Sequence, residues 1–150
     1  MVYKKASIKD TQTLVAFRKL QLIDEGQAPD TNIDKELTSY FESSLSNGSL
    51  TQFIALENDV AVATGGVHFY LYPPSFKNVT GKMAYIANMY TSPDFRGKGI
   101  AKALLNLVIK EAEEREHYLV RLHSSEQGYP VYKKYGFDDT PGFMALMLKK

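Results

Sequence analysis

The spacing of apolar positions along the chain changes from one stretch to the next, and each change marks a structural element. Val2 to Lys5 is short and mixed, a candidate strand. Ser7 and Asp10 then show the S-x-x-D spacing of a capping box, in which each side chain satisfies a free backbone amide, so a helix is predicted to begin there. Leu14, Phe17 and Leu20 supply its apolar stripe, and Gly26 with Pro29 closes it. Thr31 and Asp34 repeat the capping spacing ahead of Ile33, Leu37, Phe41 and Leu45, which mark one face of a second helix ending at Asn47-Gly48.

From Gln52 the helical period is lost. Phe53 to Leu56 and Val60 to Tyr72 are rich in β-branched and aromatic residues around Asn58-Asp59, a pair that tolerates the positive φ of a tight hairpin. Pro73 to Gly81 reads as an exposed loop, and Met83 to Tyr90 as a further strand. Lys98 to Glu116 is the clearest helix, with Ala101, Leu104, Leu105, Val108 and Ala112 on one side and EAEERE on the solvated face. A strand over Tyr118 to His123, a short helix over Gln127 to Tyr135 and a last strand over Phe143 to Leu148, after the Pro141-Gly142 turn, complete the pattern. The order βααβββαβαβ predicts an α/β fold: a single domain over residues 1–150, with a central mixed sheet of six to seven strands flanked by about four helices.

The totals narrow the chemistry. A chain of 150 residues can bury one core of its own, and without cysteine it has neither disulfides, nor a thiolate metal site, nor a cysteine nucleophile. With 18 basic and 17 acidic side chains there is no global field to attract nucleic acid, and the lysines form no stripe interleaved with aromatics. His117 and His123 straddle a helix-to-strand junction, which gives no metal-binding spacing. The opening MVYKKASIKD has no apolar run like that of a signal peptide, and no stretch approaches the roughly 20 apolar residues that span a bilayer. The expectation is a cytoplasmic protein that binds neither membrane nor nucleic acid.

Any attraction for anions is therefore local, and RGKGIA, Arg96 to Ala101, is the place for it. The first amides of a helix lack intrahelical acceptors and carry the positive end of its dipole. Gly97 and Gly99 let the backbone bend into a nest, while Arg96 and Lys98 add charge, an arrangement suited to a pyrophosphate. A simple strand-to-helix turn with solvated cations is the plainer reading of the same residues. The stretch is not G-x-x-x-x-G-K-[ST], since no Ser or Thr follows the lysine, nor G-x-G-x-x-G, since Lys102 stands where the third glycine belongs.

Downstream, SSEQGYPVYKKYGF ends in Tyr132-x-x-x-Gly136-Phe137. Together with Arg96-x-x-Gly99-x-Ala101 and the order of elements, this resembles the GNAT superfamily of acetyl-CoA-dependent N-acetyltransferases. Val131 replaces the usual leucine of the family's second motif, and Pro130 fits only in the first turn of a helix. The resemblance implies acetyl-CoA as cofactor. It implies that backbone groups of Met89, Tyr90 and Thr91 pair with the pantetheine arm, that the amides of Gly97, Lys98, Gly99, Ile100 and Ala101 beside Arg96 grip the pyrophosphate, and that Ser125 steadies the cofactor. The implied reaction is direct acetyl transfer to a primary amine of a small molecule or peptide.

Such a transfer needs a neutral amine, a donor for the developing oxyanion and a proton for the departing thiolate. A backbone N–H near Tyr90 suits the second need. The phenol of Tyr132 suits the third, although in a chain with 10 tyrosines it also reads as a rim aromatic. No glutamate lies in MAYIANMY, whose polar amide is Asn88. His68 and His123 sit on predicted strands and titrate in the right range, and either a histidine or a solvent chain can receive the amine's proton. The acidic segment LIDEGQAPDTNID offers Asp24 and Glu25 to a cationic acceptor, with Asn88 and His123 as further substrate candidates and Tyr70, Tyr72 and Phe76 as a far wall. Asp30 and Asp34 read as helix caps. Two other functions compete: a catalytically idle acyl-CoA-binding or sensing module, and a nucleotide-binding regulator. A homodimer is expected by analogy with small acetyltransferases.

Overall fold

The computed structural model of the chain describes residues 1–148. Its elements are β1 (Val2–Lys5), α1 (Thr11–Asp24), α2 (Asp34–Asn47), β2 (Leu50–Glu57), β3 (Val60–Leu71), β4 (Lys82–Thr91), α3 (Ile100–Glu114), β5 (Leu119–Leu122) and α4 (Tyr129–Tyr135). The strands form one sheet in the order β1-β2-β3-β4-β5. The first four are antiparallel neighbours, and β5 returns parallel to β4 through the crossover helix α3.

Local chemistry explains most boundaries. Ser7 and Asp10 do form a capping box, but it closes a 3-10 turn, Ile8–Asp10, that runs straight into α1. The hairpin between β2 and β3 turns on Asn58 and Asp59, whose φ angles are 49° and 63°. Ahead of α2 the expected Thr31 cap gives way to Asn32, whose side-chain oxygen accepts from the Asp34 amide at 3.0 Å. The Thr31 hydroxyl instead donates to Asp30, and Asp34 pairs with Lys19 at 2.8 Å.

The sheet separates two cores. On one face α3 buries Leu104, Leu105 and Val108 against Ala55, Val67, Ala84 and Ile86. On the other, α1 and α2 bury Leu14, Val15 and Phe41 against Leu50 and Ile54. Glu111, on α3, is the charged exception. Burial pushes its carboxyl up, but Lys5 at 3.0 Å, Thr51 at 3.1 Å and Arg115 at 3.2 Å outweigh that and hold it below its ordinary value. The cluster ties β1, β2 and α3 together. Among the described residues no buried side-chain nitrogen or oxygen lacks a partner, and no helix is long and apolar enough to cross a membrane.

The sheet has five strands, not the expected six to seven. The difference lies at residues 143–148, which carry the apolar run expected of a strand yet pair with no other strand. A strand is defined by its neighbour, and an apolar run does not show whether its neighbour lies in the same chain.

Leu104 is fully buried at the centre of the α3 face. Leu104→Ala is expected to lower unfolding stability by about 2–5 kcal/mol, read from urea denaturation with an unchanged m-value.

Candidate active site

A break in strand pairing creates the site. β4 bonds to β5 only as far as Ile86↔Leu122, yet β4 itself continues to Thr91. Beyond that point the two strands part, leaving a notch whose wall is the backbone of residues 87–91. The break coincides with an irregularity on the other side of β4. Thr64 lies opposite Tyr90 and Gly66 opposite Ala87, so Asn88 and Met89 together face Gly65. This is a β-bulge, and Asn88 within it has φ 58°.

A polar thread pins the bulge. Asn88 is 4% exposed, and its amide donates to the Tyr40 hydroxyl at 3.0 Å and lies 3.5 Å from Gln52 Oε1. Gln52 in turn donates to Thr64 Oγ1 at 2.7 Å and to the Asn88 carbonyl at 3.4 Å. Tyr40 is hydrogen-bonded to His68 Nε2. Burial pushes the Tyr40 phenol up and the His68 imidazole down, so near neutral pH the phenol donates and the neutral ring accepts. Sequence reasoning passed over Tyr40, Gln52 and Thr64. Gln52 and Thr64 did leave a signal, as polar residues inside otherwise apolar strands.

The helix beyond the notch supplies the second wall. Gly97 and Gly99 take φ 75° and 82°, and a Cβ built on either would meet nothing within 4 Å. Their left-handed backbone turns the chain into α3 and leaves open space in front of it. Gly99 is the N-cap and makes no side-chain cap, and no backbone carbonyl receives the amides of residues 97–102 among the described residues. These uncapped amides, with the helix dipole behind them, can hold an anion. Lys98 lies 5.0 Å over the Phe95 ring.

Arg96 is used differently. Its Nε donates to the Thr91 carbonyl at 2.8 Å, Nη2 meets Asp24 at 2.6 Å, and the guanidinium lies 5.6 Å over the Tyr90 ring. The side chain therefore binds the loop to the ends of β4 and α1. Asp24, a candidate for the acceptor, is engaged in that bond. Tyr90 is 8% exposed, packed on Phe17 at 5.5 Å. Glu25 is exposed at the end of α1 and accepts from Gln21 at 3.2 Å.

Tyr132 comes from α4, where Pro130 occupies the first turn as its missing amide requires. Its ring packs edge-on against Phe137 at 5.9 Å. Nothing among the described residues hydrogen-bonds its hydroxyl. Burial, helped by the negative charge of Glu25, pushes its pKa up to about 12. The phenol therefore keeps its proton, and Glu25 stands near enough to act on it. Ser125 lies at the start of the same segment, its Oγ accepting from the Gly128 amide at 3.0 Å. His123, just beyond β5, is exposed, with its ring 6.1 Å from Tyr85 and 5.4 Å from Phe143. Phe76, expected in a wall, stands fully exposed on the loop between β3 and β4, while Tyr70 and Tyr72 are 38% and 56% exposed. Among the described residues no cluster of His, Asp and Glu is placed to hold a metal ion.

Comparison with known proteins reaches the same region. A family model described as Acetyltransferase (GNAT) family matches residues 14–137. A predicted acetyltransferase of Clostridium acetobutylicum, crystallised with acetyl-CoA, is 48% identical with a TM-score of 0.94, covering 97% of this chain and 95% of its own. A GCN5-related N-acetyltransferase from Ralstonia eutropha JMP134 shares the fold, with a TM-score of 0.91 at 24% identity and 97% coverage of both chains. Glucosamine 6-phosphate N-acetyltransferase of Trypanosoma brucei brucei is 33% identical over 64 residues, which are 43% of this chain and 44% of that protein. The chain thus spans less than half the length of that curated relative.

His68 gives a test of the polar thread. Because burial depresses its folded pKa, the unfolded chain binds the proton more readily, and stability is complete above the ordinary value of 6.5 and falls as pH drops below it. The thermal midpoint is expected to decline between about pH 7 and pH 5. His68→Gln is expected to flatten that slope, and scanning calorimetry in matched buffers reads the difference.

Proposed function

We infer the reaction from one premise: this chain belongs to the Acetyltransferase (GNAT) family. It transfers an acetyl group directly from acetyl-CoA to a primary amine of a small molecule or peptide. Three features support this reading, and the first carries it: the β4 backbone unpaired beyond Ile86, the uncapped α3 amides and the Tyr132 phenol that keeps its proton.

The residues present fit acetyl-CoA. Amides from Gly97 to Ala101 suit its diphosphate, because no backbone carbonyl among the described residues receives them. Backbone groups of Met89 and Tyr90, with the Thr91 amide, suit an extended amide-bearing arm taken up as an added strand where β5 is missing, the Thr91 carbonyl being held by Arg96. Ser125 stands on the facing segment. Arg96 keeps the loop in shape through Thr91 and Asp24, and Lys98 brings positive charge to the same turn. When bound, acetyl-CoA supplies an acyl thioester open to attack by a neutral amine.

Tyr132 holds its proton with a pKa of about 12, whereas an ordinary thiol titrates near about 8.5. Complete transfer of that proton to sulfur is uphill, so the phenol acts by donating a hydrogen bond from Oη to the departing sulfur as charge develops there. Glu25, exposed and close enough to raise Tyr132, draws a cationic amine to the mouth of the notch.

Tyr132→Phe is expected to lower kcat roughly 10²-fold with CoA affinity unchanged, measured by thiol release and by calorimetric titration with CoA. Unchanged turnover would remove the role. Glu25→Gln is expected to raise KM for a cationic amine at low salt and leave kcat alone. A panel of amines that all fail while CoA still binds would favour an acyl-CoA-binding module over an enzyme.

A further inference from the structure

Val67 and Phe69 of β3, Ala84 and Ile86 of β4, and Val120 and Leu122 of β5 all turn to the α3 core. The residues between them, His68, Tyr85 and Arg121, therefore point to the opposite face, the one that α1 and α2 occupy. They form a row, with His68 opposite Tyr85 and Tyr85 opposite Arg121. The row stops one residue short of Ile86↔Leu122, so it runs beside the mouth of the notch. Tyr132 packs with the α3 core. A second molecule can thus lie on the row and reach the notch without displacing what α3 holds.

The arginines on this face differ from the others. Arg96 and Arg115 each meet a carboxylate. Arg18 and Arg121, both half-buried, meet none among the described residues, so each keeps a charge partly withdrawn from water that the protein does not answer. Two rings lie against the Arg121 guanidinium, Tyr72 at 6.0 Å and Phe143 at 5.6 Å. Rings take the face of a guanidinium and leave free the donors at its edge, which fork onto an acid.

Arg18 stands on α1 in a chain of side chains: its Nη1 donates to Gln21 at 3.1 Å, and Gln21 Nε2 donates to Glu25 at 3.2 Å. Burial pushes the Tyr85 phenol up, and the charges of Arg18 and Glu25 both reach it, with opposite signs. Asp24 ties the end of α1 to the turn before α3, so Glu25 stands at the notch and Arg18 about two helical turns behind it. The face is polarised, negative at the notch and positive over the paired part of the sheet. We propose that the acceptor is an amine that also carries an acid group, the acid held by Arg121 and Arg18 and the amine turned to Glu25 and the notch. This rests on the acetyl-transfer reading and names the class of its acceptor. Carboxylate and phosphate share the pair of oxygens that an arginine fork recognises.

Acetylated products report the acid position without turnover. With CoA present, N-acetylalanine is titrated calorimetrically against N-acetylalaninamide, and phosphorylated N-acetylethanolamine against N-acetylethanolamine. The acid member of at least one pair is expected to bind roughly 10- to 100-fold more tightly than its neutral twin, and which pair does so separates carboxylate from phosphate. Arg121→Gln and Arg18→Gln are each expected to lose most of that margin, with CoA binding retained. Arg121→Lys keeps the charge without the fork and is expected to fall between, which decides the matter even where a glutamine variant fails to fold. Twins that bind alike in both pairs would overturn the proposal, as would a margin that survives both glutamine variants or acids that fail to bind at millimolar concentration. Acid binding on these terms, with no thiol released by any of the matching amines, would instead leave the acid site standing and remove the transfer reading.

Discussion

The end of hydrogen bonding between β4 and β5 at Ile86↔Leu122 is the constraint on which the rest depends. Interior backbone groups without partners are costly, and a sheet left to itself would zip closed. What prevents closure is built into β4: a bulge at Asn88 and Met89, stabilised by a left-handed Asn88 that few side chains tolerate. Strain of that kind persists only when neighbours over-determine it. Tyr40 and Gln52 do so from α2 and β2, so the opening is held by residues distant in sequence from its walls.

The polar thread and the site chemistry are two results of the same arrangement. The Asn88 side chain turns toward α2, where its amide nitrogen donates to Tyr40 and approaches Gln52, while Met89 packs against the α3 core. Tyr132 has the opposite character. It is half-buried, its hydroxyl has no protein partner among the described residues, and its phenol is far from ionising. A phenol that no protein group engages is free to donate to a bound molecule. The hydrogen bonds separate the two: Asn88 is held in the framework, and Tyr132, the proposed donor to sulfur, is not.

Local signals were legible in the sequence. The Asn58-Asp59 hairpin, the Ser7 and Asp10 box, the apolar face of α3 and the glycine pair before it each depend on residues a few positions apart. Pairings across the chain were not legible. The bulge requires knowing that β3 lies opposite β4, and the fate of Asp24 requires knowing that the end of α1 meets Arg96, 72 positions away. Residues 143–148 show the same limit. Their composition announces burial in a sheet, but composition carries no information about which molecule provides the sheet. At α2, three candidate oxygens cluster at Asp30, Thr31 and Asn32, and only backbone geometry decided for Asn32.

The bond between Asp24 and Arg96 also limits how this sequence can drift. Arg96 fastens the turn before α3 to the last residue of α1 and to the last carbonyl of β4. Loss of the carboxylate would leave a cation loose beside an anion site, and loss of the guanidinium would leave an unanswered negative charge there. The two positions therefore act as one electrostatic unit, although one closes α1 and the other stands in the turn before α3.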